Sequence, residues 1–455
     1  MIVTKHTVSR IHILLRGCHF HTHKVRQRKS VKSRKRTQPR KVKEDIPFLN
    51  DLKELQHPEK ALSLFEEYRR QGFIHDYPSY ASLIYKLAKC RDFCSVRSVL
   101  SYMKEFNIRC KESLFTALFE HYGKADMVDT ALELFRNMAS FNCERTVDSF
   151  NSILNVLVDN GRILDAKDLF ERSRQLGFRL KPVTFNVMIK GWLKAGQLDR
   201  AWEVFEKMLE REVEPTIVTY NSILGYLCRN GELGKAEAVF DGMIEKRKPV
   251  NEVTYALMME GLCLSGKYDE AKKMIFDMEY RGCKPRQLHF GVLMSDLGRR
   301  GMIDQSKSLL VEMKRKKLKP DVVTYNIIIN YLCKEGRVKE AHKLLYEMHL
   351  GDCQANAATY RTLVDGFCQV GDYVTGISIL NAMLLSRHCP RVETFKCLFF
   401  GLIKSGNVDG AIFVLEQMNA RKLELDEAWF SLVTHCSVPG NKAADLVSEL
   451  ITDAF

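Results

Sequence analysis

The stretch VVTYNIIINYLCKEGRVKEAHKLLYEMHLGDCQAN, Val322 to Asn356, matches its neighbours when the chain is shifted by 35 residues. The aromatic near its start recurs at Tyr80, Phe115, Phe150, Phe185, Tyr220, Tyr255, Phe290, Tyr325, Tyr360, Phe395 and Phe430, with no insertion or deletion. Fixed self-similarity at this period is the signature of a stacked repeat protein. Taking Tyr77, Glu112, Val147, Pro182, Ile217, Glu252, Gln287, Val322, Ala357 and Val392 as position 1 gives ten complete units over residues 77–426.

Each unit divides into two helical patterns. Position 3 is Ser or Thr in eight units, and its side-chain oxygen suits an N-cap, so the first helix is expected to begin there. In the quoted unit Tyr325, Ile328, Ile329 and Leu332 follow at helical spacing. Position 15 is Gly in eight units, from Gly161 to Gly406, where a left-handed C′ residue would stop the helix. The second helix carries a small residue at position 20, such as Ala201 or Ala341, which permits close helix approach, and a Met at position 27, such as Met313 or Met348, as core filler. Pro215, Pro285, Pro320 and Pro390 at position 34 are expected to end it. One pair cannot bury its own apolar face, so pairs stack into an all-α solenoid of antiparallel helix pairs. The pattern leaves the hand of the superhelix open. Residues 42–76 form a degenerate N-terminal unit and 427–455 a partial repeat or cap.

The net charge of +14 is uneven: residues 1–43 hold 14 Lys and Arg and no acid, and the remaining 56 basic residues balance the 56 acidic ones. Total charge therefore makes no case for nucleic acid; a basic stripe would have to come from arrangement. Residues 1–41 have the basic, acid-free composition of an organelle transit peptide, with Arg and Lys favouring a mitochondrion over a plastid and the run at 29–41 allowing a nuclear signal. No apolar run is long enough to span a membrane. Cys228, Cys263, Cys333 and Cys368 share one position and Cys143, Cys283 and Cys353 another, a pattern of buried free thiols rather than of disulfides or a metal site. No cofactor or small-molecule substrate is expected.

The quoted stretch, with 217–251 and 252–286, resembles the pentatricopeptide repeat in V-T-Y-N, C-K-x-G, the small-x-x-hydrophobic-hydrophobic-x-x-M run and K-P. The likeness is to the P subfamily of plant organellar proteins. It implies a right-handed superhelical solenoid and single-stranded RNA as partner, with about one base per unit. In that family positions 5 and 35 choose the base and position 2 brackets it. Carried over, the base-selecting residues are Thr116, Asn151, Asn186, Asn221, Asn251, Asp321, Asn326 and Asn356, and the brackets Val183, Val218, Val253 and Val323, with Leu288 in the same run. Asn221 with Asn251 and Asn326 with Asn356 resemble pyrimidine readers, and Gly291 with Asp321 keeps half the pattern. Units with Ala81, Ala256 or Gly291 at position 5 would hold RNA without selecting, because those side chains neither donate nor accept.

Position 13 is basic in seven units, including Lys194, Arg229, Arg299, Lys334 and Lys404. One cation per unit suits a phosphate backbone, and equally the dipole of the helix it ends. No C-terminal catalytic domain is expected: H-x-E with C-x-x-C is absent. The expected protein is not an enzyme but an organellar RNA-binding protein acting in transcript processing, stability, splicing or translation. The alternative is a protein-interaction scaffold, for example in a mitochondrial ribosome or assembly complex.

Overall fold

The computed structural model describes residues 47–55, 60–245, 248 and 250–421. The expected transit segment 1–41, the cap 427–455 and Asp426 lie outside them. The described residues hold 22 α-helices and no strand. They fall into two compact bodies, one of residues 47–226 and 237–248, the other of residues 227–236 and 250–421. Two short helices, α1 (Pro47–Glu54) and α2 (Ala61–Arg70), precede ten hairpins. The first helices are α3 (Tyr77–Lys89), α5 (Glu112–Lys124), α7 (Val147–Asp159), α9 (Pro182–Lys194), α11 (Ile217–Arg229), α13 (Glu252–Leu264), α15 (Gln287–Arg299), α17 (Val322–Lys334), α19 (Ala357–Gln369) and α21 (Val392–Lys404). The second helices are α4 (Phe93–Glu105), α6 (Val128–Asn137), α8 (Ile163–Glu171), α10 (Leu198–Glu210), α12 (Leu233–Glu245), α14 (Tyr268–Tyr280), α16 (Ile303–Arg315), α18 (Val338–Leu350), α20 (Tyr373–Leu385) and α22 (Val408–Asn419). Within each body successive first helices pack on one another: α3 to α9 in series in the first, α13 to α21 in the second.

Two helix boundaries differ from the sequence reading. First helices begin at position 1, not position 3, and the N-cap is the preceding position 35. The side chains of Asp76, Asn251, Asp321 and Asn356 accept the backbone N–H of Ser79, Thr254, Thr324 and Thr359. The position-3 hydroxyl is buried and answers the cap: the backbone N–H of Asn251 and of Asn356 donates to the Oγ1 of Thr254 and Thr359. A Ser or Thr three residues into a helix is thus the far half of a capping box. The proline at position 34 does not end the second helix either. Most second helices stop at position 29, and the chain reverses at position 31 in the left-handed conformation, with φ of 52° at Asn107, 58° at Lys317 and 51° at Asp352. The next amide bonds back to the position-27 carbonyl, as Ile108 N to Met103 O and Leu318 N to Met313 O at 2.9 Å. That is the Schellman arrangement, and here non-glycine residues accept its backbone. At position 15 the left-handed turn is where the sequence places it, with φ of 82° at Gly266 and 73° at Gly336.

The core is the periodic set. Phe115, Phe150, Phe185 and Phe290 at position 4, Ala131, Ala201 and Ala341 at position 20, and Met208, Met278, Met313 and Met348 at position 27 are fully buried. Cys228, Cys263, Cys333 and Cys368 are buried between first helices. Burial pushes the Cys263 and Cys333 thiols up to about 12, so they stay protonated and unreactive.

These cysteines sit at position 12, and Cys228 and Cys333 each face a glycine at position 10 of the next unit. A Cβ at Gly261 would stand 2.6 Å from Cys228 Sγ, and one at Gly366 2.7 Å from Cys333 Sγ. At Gly298 the arrangement is reversed: glycine is at position 12, and its missing Cβ would meet the Tyr331 ring at 2.1 Å. In the first body Gly123 faces Val156 and Gly191 faces Val158 in the same two senses.

Surface ion pairs also join neighbouring units. In the first body Arg162 bridges Asp129 of the unit before and Asp165 of its own. In the second Arg337 does the same with Asp304 and Glu340, and Lys307 joins both acids. Hydrogen bonds from Arg337 and Lys307 hold the Asp304 and Glu340 carboxyls down to about 2.

Two outcomes are expected. Gly366→Val should destabilise the α17–α19 junction by about 1–3 kcal/mol through overpacking. Adding Cys333→Gly should restore at least half of that loss, measured as amide exchange of α19; an additive double variant would reject the volume pairing. The depressed Asp304 and Glu340 values mean that their contribution is present above their unfolded pKa of about 4 and is lost as pH falls toward about 2. Arg337→Met should therefore lower the thermal midpoint at neutral pH, and the gap to the parent should close on acidification through that window.

Candidate functional site

The capping layer and the expected base-selecting positions are one network. In the second body Asn326, at position 5 of α17, donates from Nδ2 to Asn356 Oδ1 at 3.3 Å, and its Oδ1 accepts from Thr359 Oγ1 at 2.7 Å. Asn356 is the N-cap of α19 and Thr359 its position-3 partner. The Asn326 amide is thereby held in one orientation, with one N–H and one lone pair left over. In the first body Asn186 repeats the geometry: its Nδ2 donates to Thr216 Oγ1 at 3.3 Å and its Oδ1 accepts from Thr219 Oγ1 at 2.6 Å. Half-burial of Asn186 and Asn326 leaves an open edge on each amide.

The other expected residues are placed differently. Asn151 is buried, and its Oδ1 has no partner among the described residues. Thr116 turns its hydroxyl back to Ser113 O at 3.1 Å. Its counterpart Thr146 caps α7 and is held by Glu112, whose Oε1 accepts from Thr146 N, Thr146 Oγ1 and Ser149 N. Asn221 is half-buried on α11, and Asn251 caps α13. Arg286 pairs with Glu252, while His289 fills the position-3 role: its Nδ1 accepts from Arg286 N, which leaves Nε2–H to donate to Glu252 O at 2.9 Å. Arg361 turns its Nε to Ala357 O. Desolvation raises the neighbouring Asp365 carboxyl, and Arg361 and Arg391 both oppose that. Arg361 and Arg391, at positions 5 and 35 of this unit, thus have a carboxylate to balance them.

Position 2 stands out on every first helix of the middle units. Val183 and Val218 are 56% exposed, Val253 47%, Leu288 52% and Val323 65%, beside fully buried neighbours at positions 3 and 4. Between Leu288 and Val323 lies an open cavity of about 550 Å³. Its wall includes Gly291 at position 5, Asp321 at position 35, Arg299 at position 13, and Glu260 and Ser295 at position 9. Positions 2, 5, 13 and 35 therefore share one surface. Gly291 adds no side chain to this wall; the nearest atom to a Cβ there is Ile327 Cδ1 at 3.4 Å.

All seven position-13 cations, Lys89 and Lys124 included, are exposed at the last residue of their helices. Lys194 pairs with Asp159, its counterpart one unit back, at 3.3 Å, and Arg299 with the buried Asp296 at 3.2 Å. Lys334 lies 5.5 Å over the Tyr331 ring. Arg229 and Lys404 have no ion-pair partner among the described residues. The stripe is thus partly neutralised, which the sequence does not reveal because Asp159 and Asp296 sit where other units carry Lys, Gly or Tyr. The sequence reading also missed Glu260 on the cavity wall. Its signal was available: position 9 follows position 5 by one helical turn.

Profiles of the PPR repeat family match residues 181–223, 215–264, 288–330 and 320–369. Those of the PPR repeat match 148–178, 253–283, 358–388 and 393–423, and the pentatricopeptide repeat domain matches 107–160. Among similar proteins is a mitochondrial pentatricopeptide repeat-containing protein of Arabidopsis thaliana, 50% identical over 169 residues, 36% of this chain and 36% of that protein. Another is the Arabidopsis large ribosomal subunit protein mL102, 32% identical over 117 residues, 26% of this chain and 15% of that one. The matches span about a third or less of these relatives. Among solved structures, maize PPR10 has 20% identity and a TM-score of 0.43, covering 89% of this chain and 69% of that one. Matched by these repeat profiles from residue 107 to 423 with short gaps, the chain belongs to the pentatricopeptide repeat family.

Proposed function

We propose that the protein binds single-stranded RNA in an organelle, the mitochondrion first, and acts without catalysis in processing, stability, splicing or translation of a transcript. The observation that carries this is the cavity between Leu288 and Val323, where an apolar pair, a capping carboxylate and a position-13 cation face one space. A base enters between exposed position-2 side chains, which removes apolar surface from water. Polar groups at positions 5 and 35 meet its edge, and position-13 cations meet the phosphates. Asn326 and Asn356 are the strongest readers because their amides are already oriented. Val183, Val218 and Val253 provide the same bracket in other units, with Asn186, Asn221 and Asn251 beside them. The mitochondrial assignment is supported by the relative of that compartment.

The second reading, a protein scaffold, is favoured by the mL102 relative and by units lacking a polar position 5. Crosslinking of RNA to the protein in its organelle separates the two. Enrichment of one transcript site supports RNA recognition; no RNA, with a stable ribosomal partner, rejects it.

Asn356→Asp keeps the acceptor that caps α19 but removes an N–H donor. It should change the preferred base at one position by about fivefold or more in equilibrium binding, without loss of helicity. Unchanged selectivity would remove this pair from recognition. Arg229→Glu, Lys334→Glu and Lys404→Glu together should lower the slope of log affinity against log salt by about 2, the value for three lost phosphate contacts. An unchanged slope would assign these cations to helix termination alone.

A further inference from the structure

The second helices of the second body carry a surface that RNA binding does not use. Positions 25 and 29 are one helical turn apart, so they share a face. They are Phe276 and Tyr280 on α14, Val311 and Arg315 on α16, Tyr346 and Leu350 on α18, and Asn381 and Leu385 on α20. Tyr280 is 91% exposed, Leu350 86% and Leu385 78%, with Phe276, Val311 and Tyr346 at least half exposed. A lone exposed apolar side chain is ordinary, but rows on adjacent helices mark an interaction surface.

The fold does not require these residues. In the first body the same positions hold Ser101 and Glu105, Arg136 and Ser140, Glu171 and Gln175, and Glu206 and Glu210. Adjacent second helices are held side by side by the ion pairs Lys316–Glu279, Lys272–Glu312 and Lys307–Glu340. These pairs also occupy the acids Glu279, Glu312 and Glu340. Lys273, Lys314, Arg315, Lys339 and Lys343 remain exposed on α14, α16 and α18 without an ion-pair partner among the described residues. The crest is thus mainly apolar, broken by Arg315 and Asn381, and its flanks are mainly cationic, with Glu347 the exposed acid beside Tyr346.

We propose that this ridge docks an acidic amphipathic helix of a partner protein, laid across α14, α16 and α18. These second helices meet through side-chain ion pairs rather than close backbone packing, which sets them roughly 10 Å or more apart, and a helix advances about 10.5 Å in seven residues. An apolar side chain at every seventh position thus meets successive rows, while acidic neighbours meet Lys273, Lys339 and Lys343. Val311, Leu350 and Leu385 interrupt the rings of Phe276, Tyr280 and Tyr346 with aliphatic contact, which breaks a continuous stacking row and favours a protein over RNA. The surface is independent of the RNA reading.

The test uses the full chain and two synthetic helical peptides of about 21 residues. Both carry Leu at every seventh position, one flanked by Glu and the other by Lys. Fluorescence anisotropy should show the acidic peptide binding roughly tenfold or more tighter, with affinity falling as salt rises. Tyr280→Ser with Leu350→Ser should weaken it roughly tenfold, and Lys339→Ala with Lys343→Ala should weaken it and flatten the salt dependence. Glu206→Ala, on the first body, should change nothing, and circular dichroism should be the same throughout. Equal binding of the two peptides, or parent-like binding by both double variants, overturns the proposal. So does loss of single-stranded RNA affinity in Tyr280→Ser with Leu350→Ser, which assigns the ridge to RNA. A sedimenting dimer that those substitutions dissociate assigns it to a second copy.

Discussion

The structure depends on how closely consecutive first helices approach. At Gly261, Gly298 and Gly366 an added Cβ would fall 2.1–2.7 Å from the facing side chain, so each junction is built around one missing methyl group. Which partner gives way is free: Cys333 faces Gly366, yet Gly298 faces Tyr331. What recurs at these three junctions is one glycine in each facing pair, which close packing exploits. That spacing brings positions 2, 5, 13 and 35 to one surface at a regular interval.

The same approach explains why the base-selecting positions vary without harm to the fold. Capping of α17 is completed by positions 35 and 3 alone, Asp321 with Thr324, beside an empty Gly291. Position 5 is an addition to that layer. Asn326 joins it, Thr116 ignores it in favour of Ser113, and Ala256 is absent from it. Loss of the position-5 side chain leaves the cap itself in place, whereas loss of a cap would cost about 1 kcal/mol.

Period, helix pairing and core were legible in the sequence because they rest on repeated local chemistry. Met313, Ala341 and Phe290 are buried where their positions say they should be. The helix start was misplaced by two residues because Thr359 and Asn356 cap reciprocally, and a hydroxyl inside the first turn resembles one before it. The second-helix stop was missed because Lys317 and Asp352 adopt a backbone that usually announces itself by glycine. For the site, residue types were legible and their partners were not. Asp159 neutralises Lys194 across units, a contact that no spacing within one repeat encodes, and Asp365 balances two arginines of its own unit, a partnership that residue type alone does not announce.

The hydrogen bond from Thr359 to Asn326 has a thermodynamic consequence. A free asparagine amide rotates, and a ligand that uses it must first order it, at roughly 0.5–1.5 kcal/mol. Here that ordering is done when α19 folds. On the proposed reading, discrimination between bases is stored in the folded state of the following unit rather than acquired on contact. Fraying the first turn of α19 would then release the amide and blur the choice of base while leaving the proposed phosphate contacts intact. Selectivity and local stability would be, at this point of the chain, one quantity.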